Sequence, residues 1–334
     1  MNLFGQACKF VNFKNSKGDQ FYGINRGTQY GTSPDNGITY KPYKRFLPAA
    51  DPMLSVPLTL EAMEAGAVVT FTNKAAGLVT YKVNDGAIQT ITSNTAYEIT
   101  LANIGDKVEF FGDNATYGVI ADYEKSSRIS CSLDCYVYGN IMSLINSDDF
   151  ASADTLSEGW TFNGLFYDNT KIKNKTGYNL LLPATTLTNG CYDLMFCGCT
   201  GLTTAPELPA TTLASNCYNW MFARCALIEA PVLPATTLAI GCYAGMFRDC
   251  TSLTTAPYLP ATILVSGCYN SMFKGCTNLN SITCLATSIS GNNCLAWWLG
   301  DVAVNGTFTK AAGMSNWPTG VSGIPEGWTV QDYA

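Results

Sequence analysis

Fourteen cysteines are the side chains here best suited to chemistry, and histidine, their usual partner, does not occur. Without histidine there is no Ser-His-Asp or Cys-His nucleophile, no imidazole base and no mixed His/Cys metal site. Carboxylate pairs and lysine nucleophiles stay open, which weakens the case for an enzyme without closing it. Zinc would need cysteine pairs with two to four residues between their members that face one another. Cys131 and Cys135 are the one pair so spaced, and no metal is expected. Asp148-Asp149 is a carboxylate pair, but adjacent loop residues are far more often solvated, or cap a helix, than act as a glycosidase couple. Asp154 and Glu158 lie nearby at a spacing that fits no calcium loop. No Gly-rich phosphate loop followed by Lys-Ser/Thr is present, nor a G-x-G-x-x-G. No catalytic residue and no cofactor is assigned.

The cysteines follow a different order. Cys191, Cys217, Cys242, Cys268 and Cys294 are 26, 25, 26 and 26 residues apart, and Cys199, Cys225, Cys250 and Cys276 are 26, 25 and 26 apart. These are two columns of a repeat, in which cysteine is a small buried hydrophobe stacked rung over rung. The block Leu182-Pro-Ala-Thr-Thr-Leu187 returns at 208–213, at 233–238 and, with one change, at 259–264; a worn copy spans 284–289. Between blocks runs Cys191-Tyr192, Met195-Phe196, Cys199-Thr200-Gly201-Leu202, with three further copies and a fifth in which Trp297-Trp298 takes the Met-Phe place. An early partial copy is Leu165-Phe166 with Ile172.

A period of 25–26 lies in the leucine-rich range of about 20–29 residues. Prolines flanking segments such as 205–209 favour extended backbone. Apolar residues at 191, 192, 195, 196 and 199 predict a helix with a face two residues wide. Tyr192, Met195 and Phe196 fill the gap between rungs, and stacked copies share one elongated core. On that outer side, adjacent rungs are expected to lie beyond the ~7 Å Cα limit of a disulfide, with the thiols buried and reduced.

Only seven charged side chains occur between 179 and 290. Thr, Asn, Tyr and backbone make up the rest of the polar surface, which suits hydrogen bonding to glycans or flat protein faces. Positions that differ between rungs face outward in this reading. They make Asn219, Trp220, Arg224, Arg248, Asp249, Tyr258, Asn270 and Lys274 the candidate binding residues.

The repeat is preceded by 51–139, where short alternating runs are bounded by Gly, Asn and Asp. Strands are predicted at 58–63, 68–73, 79–83, 87–91, 97–101, 108–111, 117–120, 128–131 and 136–138. Asn84-Asp85-Gly86 marks a hairpin. That number of strands argues for an Ig-like sandwich, with Phe71, Tyr81, Phe110 and Phe111 in its core. Residues 1–50 hold seven basic and two acidic side chains, a net +5, which leaves −11 of the total −6 for 51–334. They are rich in Phe and Tyr and read as an extended docking arm with one hairpin, its contacts carried by Lys9, Phe10, Phe13, Arg26, Lys41, Lys44 and Arg45. A sequence pI near 4.7 argues against nucleic acid. No signal peptide is visible and no run approaches 18 apolar residues, so neither a Sec address nor membrane insertion is expected.

The unit Leu-Pro-Ala-Thr-Thr-Leu…Cys-Tyr-x-x-Met-Phe-x-x-Cys-Thr-x-Leu resembles the BspA-like leucine-rich repeats of Bacteroidetes surface proteins. The tail 306–310 and 323–330 resembles that family's C-terminal close, and 140–145 with Asp148-Asp149-Phe150 its lead-in. The resemblance covers roughly 140–334 and extends to virion proteins of phages infecting Bacteroides, including crAss-like phages. It implies adhesion or host-protein binding and brings no catalytic residues. The expected fold is mainly β with short helices: a docking arm (1–50), an Ig-like β-sandwich (51–139), a BspA-type leucine-rich-repeat solenoid (140–300) and a cap (301–334) in which Phe308, Trp317 and Trp328 cover the last rung. The expected function is a non-enzymatic structural and adhesion protein. The favoured setting is a phage virion (head or tail fibre, or decoration protein) made in the host cytoplasm, whose arm docks on other virion proteins while the repeats hold a host-surface glycan or protein. The alternatives are a Bacteroidetes surface adhesin and, less favoured, an accessory domain of a carbohydrate-active enzyme. A homo-oligomer stays open.

Overall fold

The computed structural model describes residues 51–119 and 122–333, together with the backbone of 10–14, 20–24 and 30–32. Among the described residues the chain is mainly β, and helix is confined to 3₁₀ turns at Pro52–Ser55, Tyr123–Lys125 and Ile141–Leu144. Residues 1–52 and 53–334 are separate compact units.

In the first unit β1 (Phe10–Lys14), β2 (Gln20–Ile24) and β3 (Tyr30–Thr32) form an antiparallel sheet in chain order. The β1–β2 register runs from Phe10 opposite Ile24 to Lys14 opposite Gln20. The arm was expected to hold one hairpin; three β-prone runs, rich in Phe, Tyr and Val, make two antiparallel pairs instead. Phe10 and Phe13 lie on β1. Lys9, Arg26, Lys41, Lys44 and Arg45 fall outside the described residues.

The second unit opens with β4 (Leu58–Ala62), β5 (Ala67–Asn73), β6 (Val79–Val83), β7 (Gln89–Ile91), β8 (Thr95–Leu101), β9 (Lys107–Gly112), β10 (Arg128–Cys131) and β11 (Cys135–Asn140). One sheet has the order β10-β5-β8 and the other β11-β4-β9-β6-β7. Burial alternates along β5, with Ala67, Val69, Phe71 and Asn73 inward. Phe71 meets Phe110 across the layers at 5.1 Å between ring centroids, and Tyr81 meets Tyr97 at 5.6 Å. Asn84 turns the β6–β7 hairpin with φ 51°. Two expectations are corrected. Phe110 and Phe111 are strand neighbours and must face opposite ways; Phe110 is buried, and Phe111 is half-buried on the outer face against Phe150. The segment from Tyr117 is not a strand. Its amide donates to the Thr161 carbonyl at 2.8 Å and its phenol to the Leu144 carbonyl at 2.7 Å, so it turns toward the repeats.

β11 joins the two regions. It pairs antiparallel with β4 and parallel with β12 (Ile172–Lys173) and β13 (Leu180–Leu181).

The predicted helix at 191–199 does not form. Left-handed backbone recurs at every fourth residue: Gly190, Leu194 and Gly198, then Asn216, Trp220 and Arg224, and so on to Asn293, Trp297 and Asp301, with φ between 51° and 79°. The apolar spacing of i, i+4 and i+8 is therefore a period of four set by repeated turns, not the 3.6 of a helix. The amides alternate in direction. Tyr192 and Leu194 donate across to the next rung, to the carbonyls of Cys217 (3.0 Å) and Asn219 (2.9 Å). Asp193 and Met195 close turns onto Gly190 (3.0 Å) and Tyr192 (3.3 Å). Each left-handed non-glycine residue costs roughly 1–2 kcal/mol, and these inter-rung bonds are what hold it in place.

The side chains stack in register. Tyr117, Phe162, Tyr192, Tyr218, Tyr243, Tyr269, Trp298 and Trp317 form one continuous column with ring centroids 5.8–6.2 Å apart. Phe166, Phe196, Phe222, Phe247 and Phe273 form a second column at 5.5–6.1 Å. The Pro-flanked segments make only isolated parallel bridges, such as Thr204 with Glu229 and Thr212 with Thr237, because proline lacks the amide a ladder needs. Where proline is absent, β14 (Ser281–Cys284) forms and continues in parallel through β15 (Thr307–Lys310) to β16 (Thr329–Asp332). At that end Phe308 and Trp328 are buried, Trp317 is half-buried, and the Trp298 indole donates to the Gly323 carbonyl at 2.8 Å.

Rungs joined by backbone hydrogen bonds lie at sheet spacing, about 4.8 Å, which overturns the expected wide separation of the thiols. Distance is not what keeps them apart. All thirteen described cysteines are free. Cys199, Cys225, Cys250 and Cys276 donate S–H to the Phe carbonyl one rung back at 3.0–3.1 Å, and burial pushes Cys191, Cys242 and Cys276 up to about 12. Thiol titration of native protein should therefore find few reactive groups and many more after denaturation. Mass spectrometry showing a Cys217–Cys242 or Cys225–Cys250 bridge would contradict this.

Candidate functional site

The second and third left-handed positions of each turn, which include Trp220, Arg224 and Asp249, together with the residue just before the third, Arg248 and Lys274 in their rungs, bring these side chains onto one edge of the repeats. At Trp220 the next rung offers Gly245, where a Cβ would stand 2.8 Å from the indole, so only glycine lets the ring lie flat there. The Arg248 guanidinium stacks 4.8 Å from the same ring centroid, and its Nε sits 3.4 Å from Asp249 Oδ2. Arg224 Nη2 reaches back past Gly198 to Asp168 Oδ1 at 2.8 Å, with its guanidinium 5.7 Å from the Tyr167 ring. Lys274 Nζ lies 4.9 Å from the ring centroid of Trp297, which is 54% exposed. Stacked cations, carboxylates and an open indole make a rigid surface for aromatic stacking and charged hydrogen bonds.

Sequence reading missed Tyr167, Asp168 and Trp297. Extending the rung register would have found them, since Asp168 shares one left-handed column with 198, 224, 249, 275 and 301, Trp297 shares another with 164, 194, 220, 245 and 271, and Tyr167 precedes Asp168 as Arg248 precedes Asp249. The other three candidates lie elsewhere. Tyr258 is exposed and packs on Tyr333 at 5.9 Å. Asn270 accepts a hydrogen bond from the Ser271 hydroxyl. Asn219 donates at 2.9 Å to Asp193, which is buried.

Burial pushes the Asp193 carboxyl from its ordinary 3.8 up to about 7, against the smaller opposing effect of the Asn219 hydrogen bond. In the pH window between those values the unfolded chain is ionised while the folded one keeps its proton. Stability should thus fall as pH rises from about 4 to 7 and level off above. Asp193→Asn should flatten that part of a denaturation-versus-pH curve and stabilise the protein most at pH 8; an unchanged slope would show that Asp193 is ionised throughout.

A cavity of about 530 Å³ opens on the outer face of the larger sheet. Lys175 Nζ sits 2.5 Å from Glu61 and 4.3 Å from the Tyr178 ring centroid, while Lys82 and Lys107 hold Glu109 at 2.8 and 3.1 Å. These ions satisfy one another and fasten the 173–178 segment to the sheet. Among the described residues no three acidic or thiol side chains gather to hold a metal ion. No family model matches the chain, and no curated protein or solved structure is significantly similar to it.

Proposed function

We propose that the chain is a non-enzymatic structural and adhesion protein, in which an Ig-like sandwich supports a solenoid of the BspA-like leucine-rich kind. The observation that carries this reading is the edge built from Trp220, Arg224, Arg248, Asp249, Lys274 and Trp297. These side chains are fixed on hydrogen-bonded turns and aimed at solvent, an arrangement suited to a host-surface glycan or protein. The favoured setting is a phage virion, with residues 1–50 as the anchor; the support is their net +5 against −11 in the rest of the chain. One pair of variants tests both parts. Trp297→Ala combined with Arg248→Ala should abolish attachment to host cells while leaving the melting temperature nearly unchanged. Deleting 1–50 should leave the second unit folded but stop incorporation into particles, and attachment of the intact arm should weaken with salt as charge is screened within about 10 Å. Undiminished attachment by the double variant would reject the binding edge. Normal particle assembly without the arm, or surface display from an intact bacterial gene, would reject the virion setting and favour a surface adhesin.

A further inference from the structure

Two thiols stand apart from the repeat columns. Cys131 ends β10 in the smaller sheet and Cys135 opens β11 in the larger one. Ser132-Leu133-Asp134 alone separates them at the corner between the two sheets, and each thiol acts on the other's ionisation. Cys131 is half-buried, whereas the other twelve described cysteines are buried. The corner is rigid. The Cys135 amide donates to the Lys171 carbonyl at 2.9 Å, and Asn169 Nδ2 donates to the Ile129 carbonyl at 3.0 Å while approaching Cys131 Sγ at 3.6 Å. We propose that Cys131 and Cys135 are an oxidisable dithiol, a modification site for small disulfide oxidants, whose closure covalently locks the two sheets together beside the first rung.

The geometry sets the order of events. Its pairing with Cys135, first, and the Asn169 amide lower the Cys131 thiol, while the same pairing raises Cys135. Cys131, the more exposed of the two and the one whose ionisation is favoured, is therefore the attacking sulfur once its proton has passed to water. It attacks one sulfur of a disulfide such as oxidised glutathione; that S–S bond breaks, one thiolate leaves, and a mixed disulfide forms on Cys131. Cys135 then loses its proton to the departing glutathione and attacks the Cys131 sulfur, expelling the second thiolate. Two electrons pass from the dithiol to the oxidant, which ends as two thiols. The rung cysteines cannot compete, because their thiols are buried and held in the protonated form. A reducing cytosol keeps the pair open and an oxidising exterior closes it.

The test uses the full-length protein and oxidised glutathione. The tryptic peptide 129–171 contains both cysteines and no others. After native incubation, acid quenching and alkylation, that peptide should have lost two hydrogens and taken up no alkyl group, while the rung cysteines alkylate only after denaturation. Cys135→Ser should instead accumulate a mixed disulfide at Cys131. Cys131→Ser, at the half-buried position and hence the safer substitution for folding, should leave the peptide without glutathione. In untreated wild type, Cys131 should alkylate at least about tenfold faster than any rung cysteine. A peptide 129–171 that stays reduced, a wild-type mixed disulfide that never resolves, or rung cysteines oxidised at the same rate would each overturn the assignment.

Discussion

Phe222→Ala should destabilise the second unit by about 3–5 kcal/mol, the range for truncating a fully buried phenylalanine. Phe222 is 0% exposed and lies mid-column, 5.6 Å from Phe196 and 6.1 Å from Phe247. Its loss leaves a void with aromatic walls on both sides. The neighbouring rungs cannot collapse into it, because their backbones are held at a fixed spacing by the hydrogen bonds from the Phe196 amide to the Met221 carbonyl and from the Phe222 amide to the Met246 carbonyl. The damage should spread, since each rung is supported only by its neighbours. Lys274→Ala is the matched control; Lys274 is half-buried at the edge with its Nζ 4.9 Å from the Trp297 ring centroid, and a surface position of this kind should change stability by less than about 0.5 kcal/mol. Denaturant titration of both variants decides the matter. Equal losses would mean that the inward and outward faces are misassigned.

The buried columns were legible because a repeat writes the same requirement several times. Cys217, Tyr218, Met221 and Phe222 recur in four copies, and all four residue types point inward. Eight of the nine predicted strands are present within a few residues of their expected ends, since alternation and turn residues are local signals. What was not legible depends on backbone conformation that side-chain chemistry does not announce. Leu194, Trp220 and Trp297 adopt left-handed φ, a conformation that apolar side chains disfavour, so their pattern reads as helix. The inter-rung bonds that override this preference join residues 24 or 25 apart, as from Trp220 to Ala244 and from Leu194 to Asn219, and have no local trace. The same blind spot hid the aromatic and charged edge. Trp220 was singled out for being different, but its partner Arg248 lies in the next rung, and Asp168 pairs with Arg224 across an intervening rung. Tyr117 misled for a related reason: it alternates like a strand residue, yet its ring starts the aromatic column by stacking on Phe162.

Gly139→Ala should be among the most damaging small substitutions at the described residues. Gly139 lies in β11 with φ +90°, a conformation L residues rarely adopt. A Cβ there would stand 2.0 Å from the Pro57 carbonyl oxygen, 2.9 Å from its carbonyl carbon and 3.0 Å from the Val56 oxygen. All three are backbone atoms, so no side chain can swing aside to make room. The methyl must push apart the Val56–Pro57 segment and β11, and both sides of the joint then suffer. On one side the Asn140 amide donates to the Val56 carbonyl at 2.8 Å; on the other the Gly139 amide donates to the Asn179 carbonyl at 3.0 Å, where β11 meets β13 opposite Leu180. The sandwich and the first rungs are coupled through these bonds. Gly177→Ala isolates the backbone cost. Gly177 has φ +80° but nothing within 4 Å of its Cβ position, so its loss should be roughly 1–2 kcal/mol, the conformational penalty alone. Gly139→Ala should exceed that by several kcal/mol and reduce the yield of folded protein. If the two variants unfold at the same denaturant concentration, the close approach of β11 to Pro57, and with it the joint between sandwich and repeats, is wrong.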